Sequence, residues 1–347
     1  MPMRILLANP RGFCAGVRMA IDVVDQLLDI CKGEKIYVFH EIVHNKHVVN
    51  RFRDRGVVFV EDLRDVPDGS IAVFSAHGVS PEIRRIAQER RLTAVDATCP
   101  LVTKVHVEAI RYAKQGIQML LIGHEDHQEV QGTRGEAPDM IQVVESPDDI
   151  PNLKISDPTK LAYLTQTTLS TDDAEVIINA LKKAFPSIQA PPTSDICYAT
   201  TNRQHAVRQI APDADLVLVI GSKNSSNSKR LTEIAQNVGC PGHLLDDVSE
   251  LRDEWFNGVE AVMVTAGASA PEDLVAGLCR ELVKRFDATI EVRNIVEEDT
   301  EFKLPAALQG MMKGKGIDPS SRRIRVSAPT ITEELYGAVP LTVGVSG

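Results

Sequence analysis

The sequence predicts an α/β fold built from three similar units with parallel sheets. Apolar runs alternate with helical patterns along the whole chain, which is the arrangement of strand-helix-strand units. The apolar runs cover residues 4–8, 36–39, 71–75, 118–122, 161–165, 216–220 and 262–265. A cysteine and two polar strand ends recur in the same order three times, which is the mark of an internal repeat. We therefore expect three units that can pack around a pseudo-threefold axis.

Length and composition restrict the possible functions. A chain of 347 residues can bury a large core, and its size favours two or three domains. Its 48 acidic and 38 basic residues give a net charge of -10, which disfavours a nucleic-acid partner and leaves no basic tract for a membrane surface. No signal peptide or apolar run of transmembrane length is present in the sequence. Six cysteines are too few for a disulfide framework, so we expect a cytoplasmic protein.

The first strand leads directly into a glycine-flanked cysteine, Cys14, and then into an amphipathic helix. The predicted apolar face of this helix carries Val17, Ile21, Val24 and Leu28. Cys14 thus lies at a strand-to-helix turn, which is where open α/β sheets bind ligands. A thiol at a helix N-terminus has a depressed pKa, so we expect thiolate chemistry or metal ligation at this position.

The same arrangement of residues recurs in each third of the chain. The three copies begin at Cys14, Cys99 and Cys197. A polar strand end follows each cysteine after roughly 30 residues, at His44, His127 and Ser225. A second polar strand end follows later in each copy, at His77, Thr167 and Ser269. Three units packed around one axis bring the three thiols to one centre.

Three converging thiolates suit an iron-sulfur cluster. A [4Fe-4S] cluster held by three cysteines leaves one iron free to bind a substrate. Zinc is an alternative, because thiolates and one histidine also form a tetrahedral site. The remaining cysteines fall at helix ends or on apolar helical faces, where we expect small buried side chains: Cys31, Cys240 and Cys279.

Polar side chains after the strands predict an anion-binding pocket. Four histidines follow strands on the presumed ligand side, namely His44, His77, His124 and His127, whereas His106 and His205 fall within helices. With the string S-K-N-S-S-N-S at a helix start, they predict a diphosphate site that needs no basic surface. The serines have an alternative role as caps of that helix. We expect His40, His47 and His243 to be surface or packing residues.

Glu129 is a candidate proton donor because it lies beside a histidine at a strand end. A carboxylic acid donates a proton at neutral pH where burial or neighbouring charges raise its pKa. The alternative is a solvated glutamate in the first turn of a helix. Thr167 either bonds a substrate hydroxyl or simply precedes the helix cap predicted at Ser170.

Several strings together resemble the 4-hydroxy-3-methylbut-2-enyl diphosphate reductase family over about residues 3–300. They are A-N-P-R-G-F-C-A-G-V, H-E-I-V-H-N, F-S-A-H-G-V-S, D-A-T-C-P-L-V-T-K-V-H, T-Q-T-T-L-S, D-I-C-Y-A-T-T-N-R-Q, G-S-K-N-S-S-N-S and T-A-G-A-S-A-P. The resemblance implies a trefoil of three α/β domains around one [4Fe-4S] cluster per chain. By this resemblance its ligands are Cys14, Cys99 and Cys197.

The resemblance also assigns roles to the polar residues. It implies that the diphosphate is held by His44, His77, His127, Ser225, Ser226, Asn227 and Ser269. It implies that Thr167 contacts the substrate hydroxyl and that Glu129 donates a proton, whereas His124 matches no family ligand. The implied reaction adds two electrons to an allylic diphosphate and removes its hydroxyl as water, giving isopentenyl and dimethylallyl diphosphates. A ferredoxin or flavodoxin is the implied electron donor.

Some features depart from the family. Gln128 stands where the family usually has proline, and this loosens the backbone that aims Glu129. Arg18 and Met19 replace an aspartate and an arginine, which changes the charge near the expected cluster. The tail from Gly314 has no recognised counterpart and no helix pattern, so we expect order there only through docking.

The predicted domains follow the repeat. They are residues 14–98, 99–192 and 193–290, followed by a C-terminal extension over residues 291–347, with the option that strand 1–13 joins the third unit.

Overall fold

A computed structural model of the chain describes residues 2–321, 323–325, 332, 336–337 and 341–344. The strands are β1 (Arg4–Asn9), β2 (Ile36–Phe39), β3 (Val58–Val60), β4 (Ile71–Phe74), β5 (Thr93–Asp96), β6 (Gln118–Ile122), β7 (Ile141–Val144), β8 (Leu161–Thr165), β9 (Leu216–Ile220), β10 (Gly242–Leu245), β11 (Ala261–Ala266), β12 (Thr289–Asn294), β13 (Glu301–Lys303), β14 (Arg323–Arg325) and β15 (Leu341–Gly344). The helices are α1 (Ala15–Ile30), α2 (Lys46–Asp54), α3 (Pro81–Glu89), α4 (Pro100–Lys114), α5 (Gln128–Arg134), α6 (Thr171–Ala184), α7 (Tyr198–Ile210), α8 (Ser226–Asn237), α9 (Glu272–Phe286) and α10 (Ala306–Gly314). Each of the seven apolar runs coincides with a strand, so these predictions are confirmed.

Parallel sheets form the centre of each unit. Their strand orders are β3-β2-β4-β5, β7-β6-β8 and β10-β9-β11-β1-β12-β15. In every unit the first strand therefore lies between the second and the third, which confirms that the three units share one topology. None of the described helices combines the length and the apolar character that a membrane-spanning helix requires.

A fourth strand position beside the third strand of each unit links the units to one another. β5 occupies it in the first sheet and β1 in the last. In the second sheet, Gln189 forms an isolated parallel bridge with Ala162 of β8. A cysteine follows each of these positions and begins a helix that leads into the next unit. The three cysteines therefore come from equivalent places in three different sheets.

α1 packs against the first sheet although β1 lies in the last. Its most buried side chains include Ala20, Val23 and Leu27, and burial of one such large aliphatic side chain contributes about 1.5–3 kcal/mol. The predicted helical face is partly right, because Val17, Ile21 and Leu28 are only half-buried at the edge of this core. The buried face of α1 is centred on Ala20 instead, because the helix lies between the core of the first unit and the loop that carries Cys14.

The predicted helix signals at α6 and α8 are confirmed. The Ser170 hydroxyl caps α6 and accepts a hydrogen bond from the Asp173 N–H at 3.2 Å. On α8, Leu231 and Ile234 are buried, and the helix ends before Gly239, whose φ of +87° suits glycine.

The C-terminal extension packs on two different units. α10 inserts Leu308 and Met312 into the core of the first unit, whereas β15 adds a strand beside β12 in the last sheet. The expectation of no helix pattern from Gly314 is wrong in part, because Pro319–Ser321 form a 3-10 helix and Tyr336 has helical backbone. Tyr336 is fully buried in the core of the third unit. Tail positions 322, 326–331, 333–335, 338–340 and 345–347 lie outside the described residues. The predicted boundary at 290 falls within β12.

Candidate active site

A cavity of about 680 Å³, including the space at its mouth, lies where the three units meet. The twelve side chains that the family resemblance assigned to the site all line this cavity: Cys14, Cys99, Cys197, His44, His77, His127, Glu129, Thr167, Ser225, Ser226, Asn227 and Ser269. Their positions come from the carboxyl ends of the parallel strands, which is where α/β folds bind ligands. His124, which the strand-end pattern also placed on the ligand side, does not line the cavity, so that expectation is wrong. The individual roles of the twelve residues stay predictions.

The three cysteines occupy equivalent backbone positions. Cys14, Cys99 and Cys197 each cap the N-terminus of a helix, namely α1, α4 and α7. Each cysteine N–H also donates to the carbonyl of a residue that follows the third strand of its sheet. The acceptors are Ala268 at 3.1 Å, Ala76 at 3.0 Å and Thr167 at 3.0 Å. One local geometry therefore places all three thiols on the cavity wall.

Burial raises the pKa of each of these thiols, so the expectation of a depressed pKa is wrong. Burial is the largest cause in all three, and it raises the pKa of Cys197 to about 11. Hydrogen bonds from helix N–H groups, such as Val17 N–H to Cys14 Sγ at 3.5 Å, lower the pKa but do not compensate. The Cys14 sulfur also raises the pKa of the other two thiols. A cation bound beside these thiols would favour their thiolate forms.

Gly16 packs directly against the Cys99 side chain. A Cβ atom added to Gly16 would lie 2.5 Å from Cys99 Sγ, closer than real contacts allow, and 3.9 Å from Cys14 Sγ. Glycine at this position therefore lets the Cys99 sulfur approach the Cys14 loop closely. Among the described residues, no three His, Cys, Asp or Glu side chains form a group that could hold a single metal ion.

Three imidazoles form one wall of the cavity. His44 stacks on His77 with ring centroids 3.9 Å apart, and His127 lies edge-on to both at 5.3 and 6.0 Å. Burial, followed by the neighbouring histidines, holds the pKa of His77 well below its usual value and lowers that of His127 to about 3. An anion between these rings would reverse that effect by favouring their protonated forms.

His127 also caps α5, the helix that carries Glu129. Its Nδ1 accepts a hydrogen bond from the Glu129 N–H at 3.2 Å. Because Nδ1 accepts, the neutral ring carries its proton on Nε2, which is therefore the nitrogen that can donate to a ligand. His127 thus presents a hydrogen-bond donor to an anion and also caps the helix that carries Glu129.

The opposite wall comes from the start of α8. Ser225 caps this helix and accepts from the Ser228 N–H at 3.3 Å, so the predicted alternative role as a cap applies as well. Ser226 Oγ donates to the Thr168 carbonyl at 3.3 Å, and Asn227 Oδ1 accepts from the Ala268 N–H at 3.1 Å. From the end of β11, Ser269 Oγ donates to the carbonyl of His44 at 2.9 Å. These bonds join the third unit to the other two.

Glu129 is buried, so the alternative of a solvated glutamate is wrong. Its Oε1 accepts from the Thr167 N–H at 2.6 Å, and its Oε2 accepts from the Thr167 hydroxyl at 3.0 Å. Burial raises its pKa to about 7, partly offset by the hydrogen bonds from Thr167, and Asp195 raises it further. The carboxyl group is therefore half protonated near neutral pH and is suited to donate a proton.

A protein-family model described as LytB protein matches residues 5–283. This chain belongs to the LytB family. The match spans the three cysteine loops, the histidine wall and the start of α8, and therefore the whole cavity.

Relatives of this LytB chain carry one name. The 4-hydroxy-3-methylbut-2-enyl diphosphate reductase of Rhodopirellula baltica is 54% identical over 308 residues, covering 89% of this chain and 96% of that protein. The protein of the same name from Acidothermus cellulolyticus is 49% identical over 320 residues, covering 92% and 94% of the two chains. The solved structure of the E-1-hydroxy-2-methyl-but-2-enyl-4-diphosphate reductase from Plasmodium falciparum is 41% identical with a TM-score of 0.89, covering 91% of this chain and 100% of that chain. The likeness confirms the trefoil of α/β units.

The positions that depart from the LytB pattern lie close to the cavity. Gln128 is the first residue of α5, and its Oε1 is buried beside His77 without a hydrogen-bond partner. Met19 is buried in α1, and the adjacent Arg18 has a buried Nε without a partner. His124 lies outside this cavity, where its Nε2 accepts from the guanidinium of Arg230 at 2.9 Å.

The sequence patterns missed residues that the LytB cavity contains. Thr200 lies against Cys197, with its Oγ1 3.2 Å from Sγ, and Thr168 lines the wall beside Ser226. Thr200 follows Cys197 by one helical turn, a spacing that predicts contact with a capping residue. Thr168 gives no such signal beyond its place after Thr167.

Proposed function

We propose that the protein is a 4-hydroxy-3-methylbut-2-enyl diphosphate reductase, which removes the hydroxyl group of (E)-4-hydroxy-3-methylbut-2-enyl diphosphate at the end of the methylerythritol phosphate pathway. One observation carries the proposal: a single cavity contains three thiols, a wall of anion-binding groups and a buried carboxyl group with a pKa near 7. The names of the relatives support the same reaction.

We infer that Cys14, Cys99 and Cys197 hold one [4Fe-4S] cluster per chain. The residues fit this group, because thiolates are its usual ligands, the three thiols line one cavity, and Gly16 lets Cys99 approach the Cys14 loop closely. When bound, such a cluster supplies the electrons that break the allylic C–O bond. The raised thiol pKa values fit this role as well, since the positive charge of bound iron stabilises thiolates that burial alone disfavours.

The diphosphate of the substrate binds between the two polar walls. His44, His77 and His127 supply imidazole N–H donors, and the hydroxyl and amide groups at the start of α8 supply neutral ones. As the anion enters, it raises the pKa of the stacked imidazoles, so the wall gains positive charge together with its ligand. This explains how an acidic protein binds a highly charged substrate.

The five-carbon chain of the substrate needs an apolar surface next to these groups. Val17, Val43 and Val102 line the cavity beside the thiols and provide it. They also keep water away from the reacting carbons, which strengthens the electrostatic effect of each polar group.

Glu129 acts as the proton donor. Two electrons and two protons convert the allylic alcohol to the hydrocarbon and water: the C–O bond breaks, the oxygen leaves as water with a proton from Glu129, and a C–H bond forms. Thr167 holds both carboxyl oxygens of Glu129, so it aims the acid and is placed to contact the departing hydroxyl. Addition of the second proton at either end of the allyl group gives isopentenyl or dimethylallyl diphosphate.

We propose that a flavodoxin or ferredoxin delivers the electrons and that the protein works in the cytoplasm. All six cysteines are free of disulfides, as a reducing compartment requires.

Anaerobic purification tests the proposal. We expect brown protein with iron and acid-labile sulfide in near-equal amounts, and conversion of the allylic diphosphate to both products with a reduced chemical donor. Zinc without sulfide would instead support a zinc-containing binding module. If the purified protein contains iron and sulfide but does not convert this substrate, the proposed reaction is wrong.

A further inference from the structure

Arg203 is a charged side chain enclosed within the protein beside the cysteine cavity. It lies in the second turn of α7, and its exposed fraction is 0%. Its guanidinium donates to the Gly12 carbonyl through Nε at 3.2 Å and Nη2 at 2.7 Å, and to the Ala199 carbonyl through Nη1 at 2.9 Å. Nη1 also lies 2.9 Å from Oε1 of Glu298. A buried charge is costly unless its hydrogen bonds are satisfied, and here they are.

The carbonyl groups that Arg203 binds belong to two different cysteine loops. Gly12 lies in the loop that presents Cys14, and Ala199 lies in the first turn of the helix that Cys197 caps. The guanidinium fork therefore joins the end of β1 to the start of α7. Lysine has no such planar fork and cannot hold both carbonyls in the same way.

The neighbouring Tyr198 supports the same junction. Its hydroxyl accepts a hydrogen bond from the Ala15 N–H at 3.1 Å, directly after Cys14. Tyr198 and Arg203 of α7 thus hold the first cysteine loop on both sides of Cys14.

A second cysteine helix makes a comparable contact. Lys104 of α4 donates to the Thr193 carbonyl at 3.0 Å and to the Asp195 carboxylate at 3.1 Å, in the segment before Cys197. Arg203 differs in two respects, because it is fully buried and holds its carbonyls with a planar guanidinium, whereas the Lys104 side chain is partly exposed.

This charge lies next to the Cys14 loop, because the guanidinium binds the carbonyl of Gly12, two residues before Cys14. Arg203 and its partner Glu298 are both buried, so water screens neither charge effectively. Glu298 lies in the segment after β12, so the counter-charge comes from a different part of the chain. Reduction adds negative charge to a cysteine-bound centre, and a fixed cation beside one sulfur stabilises the reduced form.

We propose that Arg203 is a positioning residue that fixes the Cys14 loop against α7 and raises the reduction potential of the centre bound by the cysteines, with Glu298 as its opposing charge. The inference rests on the proposed function, since it requires that the cysteines hold a redox centre.

The experiment compares four forms of the anaerobically purified holoenzyme with wild type: Arg203→Gln, Arg203→Lys, Glu298→Gln and Arg208→Gln. Arg208 lies on the same helix but pairs with Asp172 at the surface, so it is the matched control. The measurements are iron and sulfide per chain and the midpoint potential from a redox titration followed by electron paramagnetic resonance. A role in folding alone would lower the cluster content without moving the potential of the remaining clusters.

Arg203→Gln should shift the one-electron reduction equilibrium about tenfold toward the oxidised form, which corresponds to about 59 mV. Arg203→Lys should keep the potential closer to wild type but lose cluster content, because it retains the charge and loses the fork. Glu298→Gln should move the potential in the opposite direction, and Arg208→Gln should leave it unchanged.

Equal potentials in wild type, Arg203→Gln and Glu298→Gln would overturn the inference while leaving the proposed function intact. If Arg203→Gln fails to fold, the sign of the Glu298→Gln shift decides, and a shift toward the oxidised form contradicts the proposal. Wild-type protein without iron and sulfide would overturn the proposed function itself, and the inference with it.

Discussion

The cavity and the hydrophobic cores each contain three cysteines, and the two sets differ in position more than in acidity. Cys31, Cys240 and Cys279 are buried in the cores, and burial raises their thiol pKa values just as it does for the cavity thiols. The cavity set instead caps three equivalent helices around one space. Strand topology therefore separates the two sets of cysteines, whereas burial and thiol pKa do not.

The largest expected effect comes from exchanging sulfur for oxygen in the two sets. Cys14→Ser, Cys99→Ser and Cys197→Ser should each lose most iron and sulfide, since a serine hydroxyl is a poor substitute for a thiolate ligand. Cys31→Ser, Cys240→Ser and Cys279→Ser should keep the cluster. Metal and sulfide analysis of the purified variants measures both results. A cluster that survives Cys99→Ser but not Cys240→Ser would show that the repeat does not mark the ligands.

Substitutions of the core cysteines should instead change the stability of the folded protein. Cys279→Ser places a hydroxyl group in an apolar core and should cost about 1–3 kcal/mol of unfolding free energy, unless the hydroxyl finds a partner. Chemical denaturation of the anaerobic proteins checks this, with Cys31→Ser at the edge of its core as the comparison. An unchanged denaturation midpoint in Cys279→Ser would mean that the core accommodates the hydroxyl.

Glu129→Gln should lower turnover by about 10²-fold or more and change substrate affinity little. Glutamine keeps the shape and most hydrogen bonds to Thr167 but has no acidic proton. Steady-state kinetics with a reduced chemical donor measures both quantities, and Glu125→Gln, on an exposed residue nearby, is the control. Near-normal turnover in Glu129→Gln would leave the diphosphate or a bound water as the proton source.

The pH dependence of turnover should show the same acid. Because the pKa of Glu129 is raised to about 7, the proton-donating form predominates below pH 7 and is lost as the pH rises through that value. Wild-type turnover should therefore fall on the alkaline side, and Glu129→Gln should lack this limb. An identical alkaline limb in the variant would assign it to another group.

His127 has two roles in the structure, and two variants separate them. His127→Ala should weaken substrate binding and also remove the cap of α5, at a cost of about 0.5–2 kcal/mol. His127→Asn should restore the cap but not the imidazole donor. Comparison of KM and thermal stability in the two variants distinguishes the roles. Equal stability of both variants would show that the cap contributes little.

The smallest effect is expected at Gln128. Gln128→Pro should leave activity intact or improve it and stabilise the protein by about 0.4–1 kcal/mol, because proline suits the first turn of a helix and has less freedom to lose. It also removes the buried amide oxygen that has no partner. Thermal unfolding and kinetics test this, and a loss of activity would show that the contact between Gln128 and His77 matters.

Strong apolar runs made the central strands predictable, but the outer strands were missed. Val58–Val60 and Gly242–Leu245 are short edge strands with half-buried side chains, and strands of three or four residues give too short a pattern to predict. Gln189 contributes only a bridge, and no local signal predicts that.

The site was predictable where it repeats. The cysteine and strand-end positions followed from spacing, but the direction of the thiol pKa depended on burial that the sequence does not display. Arg203 was missed for a different reason: a single arginine on a helix gives no pattern, and its meaning comes from Gly12 and Glu298, which are distant in the chain. Contacts between residues that are distant in the chain are the ones that spacing cannot predict.

The pairing of β1 with β11 and β12 also determines when β1 can fold during synthesis of the chain. Arg4 lies opposite Ala261 in one neighbour and Thr289 in the other, so the first strand made by the ribosome has neither of its partners until the last sheet emerges. At about 5–20 residues per second, that wait lasts roughly 10 to 50 seconds. Cys14 therefore reaches its place after Cys99 and Cys197 have been synthesised, so a group that needs all three thiols can bind only after the last sheet has formed.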